Sequence, residues 1–308
     1  MRDDKGGETK KINRMRQIAF FGKGGIGKST IASNIAAALA DKGLKVMMIG
    51  CDPKSDCTRN LRGDVEIPTI SEVLREKVQA QLEIDEFIYG KEIKAEEVVF
   101  EGYKGILCAE AGGPEPGVGC AGRGIVVAVD LLRRIGVFDE YKPDVVIYDI
   151  LGDIVCGGFG MNLRQGMADQ AIIVTSADYL AIYAANNICR GIARYADRGG
   201  TRLGGFIYNV RGAWDDMELV KRFAQQTGSR IIGSIPSSNH IAESEVYGQT
   251  TVQRYPDSDI AEIFRSLADR ILEDHDPVRP RPLSSKDIAS IAKGIRQKAR
   301  KQFVKKEG

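Results

Sequence analysis

Apolar residues in this chain fall in short runs, separated by stretches that repeat them at helical spacing, from Arg16 to about Leu272. The run Gln17–Phe21 has the length of a buried strand. Ser29–Lys42 sets Ile31, Ile35, Ala38 and Leu39 at the spacing of one helix face. Lys45–Gly50 predicts a second strand, and Pro68–Arg75 begins a helix. The charged stretch from Glu76 to Glu97 reads as a less ordered insertion with one helix. Gly105–Cys108 predicts a strand, Gly112–Gly119 a loop, and Gly122–Arg134 a helix. Further strands are predicted at Asp144–Tyr148, Ala171–Thr175, Leu203–Tyr208 and Arg230–Ile235, with helices between them, the clearest at Tyr179–Tyr195. Such alternation predicts an α/β fold, a mainly parallel sheet covered by helices on both faces. One domain is expected over residues 16–275, with a disordered extension at 1–15 and a basic tail at 276–308.

The first strand and helix enclose Gly22-Lys23-Gly24-Gly25-Ile26-Gly27-Lys28-Ser29, which fits the phosphate-loop pattern in its proper context. Glycines let backbone N–H groups turn in around phosphate, and the helix N-terminus faces the same anion. Lys28 is expected at the β- and γ-phosphates and Ser29 on Mg²⁺, with Thr30 following in the helix. Lys23 stands where the deviant Walker A subclass carries a lysine that crosses a dimer interface to the partner's nucleotide. Asp149 ends the apolar run Asp144–Asp149 as a Walker B acid does, near Mg²⁺; the plainer alternative is a helix or turn cap. Asp52, in Gly50-Cys51-Asp52-Pro53-Lys54-Ser55-Asp56, follows the second strand at the same sheet edge and is expected to touch water on Mg²⁺ or to orient the attacking water. Both loops are placed to sense the γ-phosphate.

Of six cysteines, Cys120 and Cys156 are flanked by glycine, which exposes amides that can bond to cluster sulfur. Two thiolates are too few for an iron–sulfur cluster, whereas a two-fold dimer supplies four. Free thiols and tetrahedral zinc remain open as alternatives. Cys51, Cys57, Cys108 and Cys189 lack such surroundings and read as structural thiols.

Taken together, GKGGIGKST from Gly22, GCDPKSD from Gly50, GGPEPGVGCAGRG from Gly112, YDILGDIVCGGFGM from Tyr148, YAANNICRGI from Tyr183 and RLGGFIYNVR from Arg202 closely resemble the iron proteins of nitrogenase and nitrogenase-like systems. The resemblance implies a homodimer with MgATP and one 4Fe–4S cluster, shared through Cys120 and Cys156 of each subunit. It implies that Asp153 helps activate the hydrolytic water, that Arg123 docks the catalytic partner, and that Asn209 and Pro236 face the adenine. Glu245 fits the acid that contacts the ribose. In some relatives the arginine matching Arg123 is ADP-ribosylated. The implied partners are a two-subunit nitrogenase-like catalytic component and a low-potential reductant such as ferredoxin or flavodoxin.

The chain departs from nitrogenase iron proteins at Ser237-Ser238-Asn239-His240-Ile241-Ala242, which is less acidic and lacks a glutamine found there. Its formal net charge is +2, and its end is basic where those proteins are usually acidic. These departures favour a nitrogenase-like system such as methylthio-alkane reductase over nitrogenase proper. Ile288, Ile291, Ile295, Ala299 and Phe303 recur at roughly helical spacing against a basic face. That pattern suits a helix packed on the dimer or a partner; it also lends some support to a positioning ATPase of the division-site or partition type, without a cluster. No secretory signal and no run of roughly 18 apolar residues is evident, so a cytoplasmic protein without a membrane span is expected. So small a net charge does not by itself argue for nucleic acid.

Overall fold

The computed structural model describes residues 14–52, 54, 56–79, 93–113, 121–150, 152, 167–211, 216–273 and 276–306. Its strands are β1 (Arg16–Gly22), β2 (Val46–Cys51), β3 (Phe100–Glu101), β4 (Leu107–Glu110), β5 (Val145–Ile150), β6 (Gln170–Thr175), β7 (Arg202–Asn209) and β8 (Ile231–Ile235). Among the described residues they form one sheet in the order β3-β4-β2-β5-β1-β6-β7-β8. Only β3 runs antiparallel to its neighbour. The helices are α1 (Lys28–Asp41), α2 (Arg59–Arg62), α3 (Ile70–Gln79), α4 (Ala121–Arg134), α5 (Val137–Tyr141), α6 (Tyr179–Ala196), α7 (Met217–Gln226), α8 (Asn239–Val246), α9 (Thr251–Arg254), α10 (Asp259–Leu272) and α11 (Ser285–Lys306).

Near-continuous apolar strands follow from burial on both faces. In β1, Ile18 and Phe20 join the core under α1 and α10, while Ala19 and Phe21 join the core shared by α3, α4, α6 and α7. Parallel β1, β2, β5 and β7 all end toward one edge, which gathers their following loops into one place.

The strand predicted at Gly105–Cys108 begins two residues later. Lys104 and Gly105 adopt positive φ (48° and 76°), and the Gly105 amide donates to Gly102 O (3.0 Å). This turn delays the strand to Leu107 and carries it on to Glu110. The antiparallel β3 escaped notice because it has only two residues. Helix α3 starts at a reciprocal cap: Thr69 N donates to Glu72 Oε2 (2.8 Å), and Glu72 N donates to Thr69 Oγ1 (3.1 Å). Of the insertion from Glu76 to Glu97, residues 80–92 lie outside the described residues.

The basic segment after residue 276 lies against its own chain. Val278 exchanges backbone bonds with Leu203 (2.8 and 2.9 Å) beside β7. Asn186 of α6 bonds both the amide (2.8 Å) and the carbonyl (3.1 Å) of Leu283. Ile288, Ile291 and Ile295 of α11 are buried in the core shared with α6. The apolar spacing seen in the sequence therefore serves intramolecular packing as far as Ile295, which removes it as support for a membrane- or DNA-binding face.

Gly50 is hemmed in. A Cβ there would overlap Glu110 Oε2 and come 2.7 Å from Cys57 Cβ. Gly50→Ala is expected to cost about 1–3 kcal/mol through this overpacking. Gly294→Ala, whose Cβ meets nothing within 4 Å, should leave stability unchanged or raise it by up to ~1 kcal/mol. Denaturant unfolding of both variants checks this, and equal midpoints would show that the space above Gly50 is not a constraint.

Candidate functional site

The loop between β1 and α1 opens the site. Gly27 caps α1 in the left-handed region (φ 87°), with no side-chain bond to the first helical amides. A Cβ at Gly27 would meet Asn209 Nδ2 at 2.7 Å, so only glycine lets β7 close on the loop here. Asn209 Nδ2 donates to Ile26 O (2.7 Å), fixing the loop from the next strand end. The open amides at the helix N-terminus form an anion cradle.

Around the cradle lies a cavity of about 620 Å³. It is lined by Lys23, Gly24, Gly25, Gly27, Lys28, Ser29 and Thr30 from the loop and α1. Asp52 from the β2 loop, Asn209 at the end of β7, Pro236 beyond β8 and Glu245 on α8 complete the wall. Of the nucleotide-site residues expected from the sequence, Lys23, Gly24, Gly25, Gly27, Lys28, Ser29, Thr30, Asp52, Asn209, Pro236 and Glu245 thus border one space, Ile26 contributes its carbonyl to the Asn209 bond, and Asp149 lies beneath Lys28. Thr30 Oγ1 donates to Glu245 Oε1, which ties α8 to α1 across the cavity. Ser238 caps α8 by accepting from His240 N (3.2 Å), and places Ile241 and Ala242 on the wall.

Beneath the cradle, Lys28 Nζ pairs with Asp149 Oδ1, with side-chain exposures of 8% and 0%. Burial alone would lower the Lys28 pKa, but the Asp149 carboxylate holds it above the ordinary lysine value. Asp149 Oδ2 is buried without a hydrogen-bond partner. Ser29 Oγ stands 3.5 Å from Lys28 Nζ. A buried carboxylate with a vacant lone pair, a hydroxyl and a glycine cradle fit Mg²⁺ bound to a nucleotide polyphosphate. In that state Lys28 would leave Asp149 for the phosphates while the metal takes over the carboxylate's charge.

The remaining expected residues are placed less completely. Asp153, Cys120 and Cys156 lie outside the described residues, and Arg123 is described only through its backbone in α4. The other four cysteines are buried thiols. Burial pushes the Cys108 thiol up to about 12 and those of Cys51, Cys57 and Cys189 well above their usual value, which unsuits them as thiolate ligands. Among the described residues no group of three or more His, Cys, Asp or Glu could hold a metal ion. Two residues were not anticipated. Arg211, two past Asn209, borders the cavity; a cation just beyond the end of an apolar strand was the available clue. Glu110 is a fully buried carboxyl at the end of β4, and the misplaced strand boundary concealed it.

A glycine cradle between a parallel strand and a helix, with an acidic strand end beside its lysine, defines a P-loop nucleotide hydrolase. Solved structures agree on that fold. The septum site-determining protein MinD of Pyrococcus horikoshii, complexed with Mg-ADP, has a TM-score of 0.62 at 20% identity, covering 84% of this chain and 97% of that one. A ParA family ATPase from Chlorobium tepidum has a TM-score of 0.58 at 18% identity, covering 82% and 98%. Within this class the chain belongs to the 4Fe-4S iron sulfur cluster binding proteins of the NifH/frxC family, whose pattern matches residues 16–298. It is 51% identical to nitrogenase iron protein 2 of Methanothermococcus thermolithotrophicus, over 94% of this chain and 100% of that one. It is 48% identical to the nitrogenase iron protein of Methanococcus voltae, again over 94% and 100%. The family binds a 4Fe–4S cluster and MgATP, and the relatives are of the ATP-dependent, electron-transferring reductase type.

Lys28→Ala should abolish most ATP hydrolysis and also lower stability by about 3–5 kcal/mol, because Asp149 would be left as a buried unpaired charge. Adding Asp149→Asn should restore much of the stability but none of the hydrolysis. Lys23→Ala should lose hydrolysis without the stability loss, since Lys23 lines the open cavity and leaves no buried charge behind. Unfolding curves and phosphate release on the same preparations separate the effects; normal turnover in the Lys23 variant would remove its role across a dimer.

Proposed function

We propose that this chain is the ATP-dependent electron donor to a two-subunit nitrogenase-like catalytic component. It would work as a homodimer that holds one 4Fe–4S cluster through Cys120 and Cys156 of each subunit. Membership of the cluster-binding family supports the cofactor. The chemistry of the described thiols, all buried and unsuited to be thiolates, supports those two cysteines as the donors. Four ligands from two per chain require two copies.

The observation that carries the reading is the position of Gly152. A Cβ on it would overlap Gly22 O and stand 2.9 Å from Lys23 N. The chain leaving β5 therefore lies in backbone contact with the start of the phosphate loop. Asp149 touches the buried lysine on one side of Gly152, and Asp153 and Cys156 follow on the other. Nucleotide that draws Lys28 away from Asp149 acts directly on the segment that reaches a cluster ligand. Asp153 would position the hydrolytic water, and Asp52, whose Oδ1 accepts from Lys54 N (3.0 Å), would sense the metal's water from the neighbouring loop. Lys23 would reach the partner subunit's nucleotide. Asn209 and Pro236 would hold the adenine and Glu245 the ribose, once Thr30 releases it. The cluster supplies storage for one low-potential electron, received from a reductant such as ferredoxin or flavodoxin. Binding thus sets the geometry for transfer, and hydrolysis resets it.

Relatives named nitrogenase iron protein at 45–51% identity support nitrogenase itself as the catalytic partner. The departures at Ser237–Ala242 and the basic end support a nitrogenase-like system such as methylthio-alkane reductase. Anaerobic turnover with each purified catalytic component distinguishes the two. Among the described residues no helix is long and apolar enough to cross a membrane.

Cys120→Ala and Cys156→Ala should each yield colourless protein without iron, whereas Cys57→Ala and Cys189→Ala should retain it. Full iron content in the Cys156 variant would refute the ligand set. Arg123→Glu should keep the cluster and ATP binding but lose association and turnover with the catalytic component, with steeper salt dependence, through like-charge repulsion and lost hydrogen bonds. Sedimentation of the mixed proteins beside a turnover assay tests it; unchanged values in both would leave Arg123 an ordinary surface charge.

A further inference from the structure

The sheet carries a second buried carboxyl, which the nucleotide chemistry does not use. Glu110 ends β4 and is 0% exposed. Gly50 on β2 is in register with Glu110 on one side and with Asp149 of β5 on the other. Because Gly50 has no side chain, the Glu110 carboxylate reaches over it. There Oε1 accepts from both the amide and the hydroxyl of Thr58, each at 2.7 Å. Arg62 Nε donates to Thr58 Oγ1 (3.1 Å), so the hydroxyl's only proton is directed to Glu110. Oε2 has no hydrogen-bond partner. Burial, opposed by the bonds from Thr58, pushes the carboxyl up to about 7. Leaving a buried oxygen unpaired costs stability that an aliphatic side chain of the same size would not lose.

The residues following Glu110 are fastened as well. The Ala111 amide donates to Gly50 O (2.8 Å), its carbonyl accepts from Ser71 Oγ (2.7 Å), and Gly112 packs on Thr69. Thr58 ends the loop that starts at Asp52 on the nucleotide cavity. Gly112 begins the segment that leads to Cys120. Thr58 and Gly112, the described ends of the two segments, are thus joined through Glu110 and Ala111 by short bonded contacts.

We propose that Glu110 is a positioning residue that couples Thr58, at the end of the loop from Asp52, to Gly112, from which the sequence runs on to Cys120, giving nucleotide a second route toward the cluster. It deepens the function proposed above and rests on it. Along the sequence, the route through Gly152 leads toward Cys156 and this one toward Cys120.

The test compares wild type with Thr58→Val, Thr58→Ser and Glu110→Ala as intact, cluster-loaded protein, using the electron paramagnetic resonance signal of the reduced cluster with and without MgATP. Thr58→Val and Glu110→Ala should keep the signal without nucleotide. Their MgATP-induced change should shrink about three- to tenfold, the equivalent of one lost hydrogen bond. Thr58→Ser, which keeps the hydroxyl, should respond as wild type. A merely structural bond would lower stability in Thr58→Val and Glu110→Ala without altering the nucleotide response. If Glu110→Ala does not fold, the valine–serine pair at Thr58 decides. A full response in Thr58→Val overturns the proposal. A wild-type protein with a cluster but no MgATP response overturns both this coupling and the switch on which it rests, and a wild type without iron overturns the proposed function itself.

Discussion

The buried pair of Lys28 and Asp149 is the constraint around which the site is arranged. A carboxylate with no exposure is tolerated only while a positive charge answers it. Lys28 supplies that charge, yet it sits on the phosphate loop, where an incoming nucleotide competes for it. Nucleotide binding therefore cannot leave β5 as it was. Either a metal replaces the lysine at Asp149, or the acid moves. In the proposed switch this makes a sensor of a strand end that would otherwise be static, and places the start of the coupling in the core of the sheet instead of in a surface loop.

Passing that change onward depends on close approach between strands. Gly50 leaves room for Glu110, and Gly152 lies against Gly22. Both contacts are between backbone or short side chains and a packed neighbour, so neither can absorb much displacement. Parallel pairing brings the ends of β1, β2, β5 and β7 to a single edge, where residues following β1, β2 and β7 border one cavity. On the far side of the cavity, α8 is braced independently. His240 stacks on Tyr255 with ring centroids 4.4 Å apart, and Arg254 lies 3.5 Å over Tyr247. The α8 wall of the cavity thus has its own support.

The strand–helix alternation and the phosphate loop were legible because their signals are local: buried strands read as apolar runs, and Gly22–Ser29 carries its pattern within eight residues. The convergence of Asn209, Pro236 and Glu245 on the loop was accessible only through resemblance, since strand order is a long-range property. Three features were not legible. The Lys104–Gly105 turn, which shifts β4, depends on a lysine at positive φ that composition does not signal. Glu110 falls beyond the strand that the sequence predicts at Gly105–Cys108, and its burial follows from the space that Gly50 leaves on the neighbouring strand, sixty residues earlier in the chain. The basic end reads as a tail because charge dominates its composition, whereas Ile288, Ile291 and Ile295 together with the Asn186–Leu283 bonds dock it on α6.

The structure also changes what the departures from nitrogenase iron proteins mean. Ser237, Ser238, Ile241 and Ala242 border the nucleotide cavity, and His240 is engaged with Tyr255. Substitutions there bear directly on how the nucleotide cavity is walled by α8, and in the proposed electron donor they bear on the recipient only through that wall. The apolar face of the basic C-terminal helix is likewise committed to the chain's own core as far as Ile295. Partner choice must then be sought at the surface through which the cluster is reached. In the proposed electron donor that surface surrounds Arg123 at the start of α4, eleven residues after Gly112. A donor built this way can exchange its catalytic partner by altering a few residues at that surface, while the buried lysine–carboxylate pair and the sheet-edge contacts that time the electron stay unchanged.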